Sequence, residues 1–126
     1  MDEIILTEKN DLSYYEGFLA SLKCLFDTKK QKIAWLDSDY SEFTDFSEIY
    51  MDFCNFCVVI LTWSELSIEQ HSALQELYNA MINYDQLVSK ENKSDKEIFR
   101  DPRWQLICKL ANTVYGKIRN VKLINN

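Results

Sequence analysis

One histidine, four cysteines and twenty carboxylates are the groups in this chain that could carry chemistry, and their spacing limits what each can do. His71 stands alone, so neither a catalytic triad nor a His-based metal site has sequence partners for it. A surface or helix-packing role is expected. Cys54-Asn55-Phe56-Cys57 has CxxC spacing. Zinc would need two further ligands, and Cys24, Cys108 and His71 offer no second close pair. A thioredoxin-type pair needs a strand before it and a helix after it, whereas this one lies inside an apolar run. Core packing is its expected role. The pairs Asp37/Asp39 and Glu48/Asp52 could do acid–base work, yet with so many acids close pairs arise by chance. The only glycines, Gly17 and Gly116, are isolated, which leaves no phosphate-cradling loop and no Gly-x-Ser-x-Gly elbow. No catalytic residue, metal ligand or cofactor is assigned, and binding is expected in place of catalysis.

The elements that position these groups follow from composition and periodicity. A chain of 126 residues, 47% hydrophobic and 13% aromatic, can build one core, so a single helical domain spanning 1–126 is expected. With two glycines, one proline and no Asn-Gly or Asp-Gly pair, the turns of a β-sandwich cannot be made. An all-α bundle of four or more helices is the expected fold. Helix starts are read at the capping box Ser13-Tyr14-Tyr15-Glu16, near Thr44 or Asp45, at the capping box Ser67-Ile68-Glu69-Gln70, and at Asp101-Pro102. Lys29, Lys30 and Lys32 are assigned to the C-terminal end of the first helix. Residues 33–43 fit an extended connection, a short strand or an extra helical turn. The run FCVVILTW is apolar all round, so periodicity alone does not exclude a strand there; a central helix is favoured because helical spacing runs into it unbroken. The lysine-rich SKENKSDKE, residues 89–97, reads as a mobile loop.

Charge is strongly segregated. From Ile33 to Ser89 there is no lysine or arginine, against ten acids, while residues 90–126 hold nine bases and four acids. Within the acidic stretch, Trp35, Asp37, Asp39, Tyr40, Glu42, Asp45, Glu48 and Asp52 interleave rings with carboxylates. Such a surface suits a basic protein partner: carboxylates steer encounter and rings supply buried area. The plainer alternative, a merely solvated acidic face, stands on equal terms. Direct nucleic-acid binding by this stretch is disfavoured because phosphates would be repelled. The N-terminal MDEIILTEKND has no apolar run long enough for a signal peptide, and no run reaches a membrane span. A cytoplasmic location and reduced cysteines are therefore expected.

Trp63-x-x-Leu66-Ser67-x-x-Gln70 and Asp101-Pro102-x-Trp104, on a short acidic helical chain, resemble bacterial toxin-immunity proteins of the contact-dependent growth inhibition and related polymorphic toxin systems. The resemblance covers mainly residues 63–118. It implies a cytoplasmic protein that binds a cognate toxin domain, often a basic nuclease, and blocks its active site or substrate surface. It transfers no functional residue. Two other classes stay open: an acidic adaptor or regulator of a basic cellular protein, and a helical enzyme or metal protein built on the cysteines and His71.

Overall fold

A computed structural model describes residues 3–36 and 44–124. Along the chain run β1 (Ile4–Leu6), α1 (Lys9–Phe26), α2 (Thr28–Trp35), α3 (Phe46–Ile60), α4 (Ile68–Glu91), α5 (Asp95–Arg100), α6 (Pro102–Ile118) and β2 (Val121–Leu123). The fold is a small all-α domain with one two-stranded addition. Helices α1 and α6 pack together at the centre, α3 lies on α1, and α4 lies on α6. The side chains buried between them form one cluster, with Tyr15, Phe18, Phe53, Leu74, Met81 and Trp104 among its largest fully enclosed members.

Local grammar sets three of the helix starts. Asp45 accepts the Glu48 amide at 2.9 Å and opens α3. Ser67 and Gln70 close a reciprocal capping box at the head of α4, at 2.9 and 3.1 Å. Asp101 caps α6, with Pro102 in the first turn, where a missing N–H is no loss. The run from Phe56 to Ile60 is helical, the last turn of α3. Replacing Ser67 by alanine orphans the Gln70 amide and is expected to cost about 1 kcal/mol. Urea unfolding should show a lower midpoint at unchanged slope.

Elsewhere the expectations need correction. Helix α1 begins at Lys9, not at Ser13, and its N-cap residue Glu8 makes no side-chain cap. Leu12 is the reason: it packs against the core and extends the stripe Tyr15, Leu19, Leu22 one turn upstream. Lys29, Lys30 and Lys32 do not end α1. Asp27 ends it and at once caps α2 by accepting the Lys30 amide, so the lysines belong to α2. Residues 89–97 are not a loop. They complete α4, close it in a Schellman motif (Lys93 amide to Val88 carbonyl, Asn92 amide to Ser89 carbonyl), and begin α5 with a Ser94–Glu97 capping box. Asn92 takes the left-handed turn, at φ 52°, that a short amide side chain tolerates.

The strands were not anticipated. Ile4 pairs with Val121 and Leu6 with Leu123 in parallel register, burying Ile4 and Leu6 while Ile5 faces out. The Tyr15 hydroxyl donates to the Ile118 carbonyl at 2.7 Å, fixing the end of α6 beside α1. Gly17 lets α1 and α3 approach: a Cβ there would stand 3.2 Å from the Phe56 ring. No described helix is long and apolar enough to cross a membrane.

Candidate partner-binding surface

The acidic stretch is anchored on an aromatic cluster. Trp35, at the end of α2, is only 6% exposed, and its indole N–H donates to the Thr44 carbonyl at 3.0 Å. Its ring lies 6.2 Å from that of Trp104. Phe46, the first residue of α3, meets Trp104 edge-on at 5.3 Å, and Tyr84 stacks on Trp104 at 5.7 Å. Trp104 is thus the common floor under both ends of the segment joining α2 to α3.

Beneath it sits a side chain the sequence did not flag. Gln31 is fully buried; its amide nitrogen donates to the Cys24 and Leu25 carbonyls at 2.9 and 3.2 Å. Its oxygen accepts the Trp104 indole N–H at 3.0 Å, with the Cys108 thiol at 4.0 Å. One amide thereby joins the carbonyl end of α1 to α2 and α6. Only a buried glutamine among apolar neighbours could have hinted at this, and no local pattern marks one.

Of the residues proposed for partner binding, Asp37, Asp39, Tyr40 and Glu42 lie outside the described residues. The structure places Trp35 in the core, where its ring serves as an anchor and not as a surface hot spot, because the indole N–H finds its acceptor inside. Asp45, Glu48 and Asp52 are brought together on the solvent side of the first two turns of α3. Glu48 also accepts the Thr44 hydroxyl. Among the described residues none of these three is in an ion pair, nor are Glu65, Glu76 and Asp85; of the stretch 33–89 only Glu69 has one, with Lys117 at 3.6 Å. Asp95, on α5, accepts the Phe46 amide at the head of α3. Burial raises the pKa of this carboxyl and Asp45 adds to the rise, against the pull of the amide.

On the other flank of α3, Asp85 of α4 stands by Tyr50 and Cys54, and burial raises its pKa. Burial likewise pushes the Cys54 thiol up to about 11 and Cys108 to about 12, and it raises Cys24 and Cys57. All four thiols are free and held protonated, the reverse of what an activated nucleophile requires. Cys54 and Cys57 sit a turn apart on α3, packed on or within the core. Among the described residues no three His, Cys, Asp or Glu side chains converge as a metal site would need. The His71 ring donates from Nε2 to the Leu61 carbonyl at 2.9 Å and so seals the end of α3.

A second polar cluster joins α4, α5 and α6. Asp101, 6% exposed, accepts the Tyr84 hydroxyl at 2.8 Å, the Arg103 amide at 3.0 Å and the Arg103 guanidinium through both oxygens. Lys93 adds a longer ion pair at 3.8 Å. Burial by itself would push the Asp101 carboxyl up. The hydrogen bonds from Arg103 and Tyr84 more than offset it, and the pKa falls to about 2. Every carboxylate contact here is satisfied from within the fold, which marks a joint and not a ligand site.

No family model, characterised protein or solved structure matches the chain.

Proposed function

We propose that this chain is an immunity-type binding protein that neutralises a cognate toxin domain whose functional surface is basic. The observation that carries the reading is the carboxylate set Asp45, Glu48 and Asp52 on the outer side of α3, with no ion pair among the described residues, in a stretch from 33 to 89 without a lysine or arginine. Carboxylates left without internal cations keep their field for a partner, raise its encounter rate and disfavour anionic competitors. The resemblance of residues 63–118 to toxin-immunity proteins supplies the partner class. A nuclease or other enzyme acting on a polyanion presents the basic surface such a field would cover.

The test is co-expression with the C-terminal domain of the protein encoded immediately upstream. Growth should be rescued, and the purified pair should bind with affinity that falls as salt rises. No rescue and no complex with that domain would sink the reading. The triple reversal Asp37→Lys, Asp39→Lys and Glu42→Lys should weaken the complex strongly, since close interfacial charge pairs are worth roughly 1.5–7 kcal/mol. Unchanged affinity would move the contact away from that segment.

A further inference from the structure

We infer that the outward face of α3 is the docking surface for a basic amphipathic helix presented by a partner protein. The inference rests on the binding-protein reading above and adds to it the surface and the form of what binds. Met51, Val58 and Val59 are 56%, 47% and 40% exposed. Met51 and Val58 are seven residues apart, two helical turns, with Asn55 between them and Val59 alongside, so they form one ridge along the helix. The opposite side of α3 is already filled by Phe46, Ile49, Phe53, Cys57 and Ile60. The outer valines therefore lie outside the core cluster. Valine is also a weak helix former, stiff at χ1, and an exposed position normally takes a charged or straight-chain residue. Two adjacent outward valines and a methionine on one helix are a ridge, not scattered surface apolars.

Charge chooses the occupant. Glu48 and Asp52 flank Met51 on the same face, Asp45 caps its head, and Asp85 of α4 stands by Tyr50 and Cys54. Neither α3 nor α4 carries a lysine or arginine before Lys90. From α1 the face is bordered by Tyr14 and Gly17, which pack on Phe56. The complementary surface is an apolar ridge bordered by lysine or arginine. A helical face 15 residues long, roughly 22 Å at 1.5 Å per residue, offers no free strand edge and matches a partner helix with anchors at i, i+3/i+4 and i+7.

The test uses the full chain, isotope-labelled, and a synthetic helical peptide with leucines at i, i+4 and i+7 bordered by lysines. Amide shifts should concentrate between residues 47 and 62 and on the adjoining side of α4. A peptide of equal charge with its leucines replaced by glutamine should bind at least tenfold more weakly. So should the parent peptide on the double variant Met51→Gln, Val58→Gln, whose exposed substitutions suit a helix and should leave the circular dichroism unchanged. No binding, shifts spread over all acidic surfaces, or equal affinity for the double variant would overturn the inference. Self-association of the free protein that the double variant abolishes would give the face to a second copy and would overturn it too. The peptide assay needs no toxin, so failed growth rescue sinks the toxin reading alone, and a failed peptide assay sinks the α3 surface alone.

Discussion

Trp104→Ala is expected to cost about 4 kcal/mol, the upper range for emptying a buried aromatic site. Trp104 has no exposed surface and touches Trp35, Phe46 and Tyr84. Its removal leaves a cavity that three large rings on separate elements cannot collapse into together, and it strips Gln31 of its indole donor. Against a typical total of about 5–15 kcal/mol, that is a large share of the stability of a small domain. Trp104→Phe separates the two contributions: it keeps a ring and drops the N–H, and should cost about 1–2 kcal/mol. Urea midpoints of the two variants check the order. A Trp104→Ala protein unfolding within 1 M of the parent would show that the cluster is looser than its geometry implies.

Asp101→Asn should cost about 2 kcal/mol at neutral pH, and the cost should disappear in acid. The carboxyl titrates near 2 when folded, against an ordinary value near 3.8. A group whose pKa is depressed by folding stabilises the protein above its unfolded pKa and loses that contribution as pH falls through the folded one. The difference corresponds to about 2 kcal/mol, since each unit is worth about 1.4 kcal/mol. The full contribution is present above about pH 4 and gone below about pH 2. The asparagine still offers an oxygen to the Arg103 amide, so the cap survives while the charge is lost. The exposed pairs that Glu91 makes with Arg103 and Lys93 add little. Stability measured from pH 6 to 2 should show the two proteins converging. A gap that stays constant across that range would mean the carboxylate is not what Arg103 and Tyr84 hold.

What the sequence made legible divides by range. Asp45, Ser67 and Asp101 announce their helices because a cap is a contract between residues two or three apart. Ser94–Glu97 is written in the same grammar, but only Ile98 and Phe99 follow it, and the surrounding lysines disguise a six-residue helix as a loop. Ser13–Glu16 is the converse case, a valid local cap overridden by the burial of Leu12 and its neighbours. Gln31 was beyond reach because its partners lie on α1 and α6. The run through Val58 and Val59 is a helix, as the spacing leading into it predicts. Yet a helix apolar on every side looks the same in sequence whether both faces are buried or one waits for a partner. Of the surface residues, Asp45, Glu48 and Asp52 are grouped as the charge pattern implied, while Trp35 turned inward.

The parallel pairing of β1 with β2 gives the molecule an order of assembly. Tyr15 and Ile118, which meet beside that ladder, are 103 residues apart in the chain. Closing a loop of that length costs about 4 kcal/mol in chain entropy, growing as the logarithm of its length. The hydrogen bonds of a three-residue ladder, at about 1 kcal/mol each, no more than match it, so the pairing depends on burying Ile4 and Leu6 against the helices. The strands can therefore join only after α1 and α6 have brought them together. They act as a latch that closes late in folding, when Ile4 and Leu6 complete a core that the helices have begun.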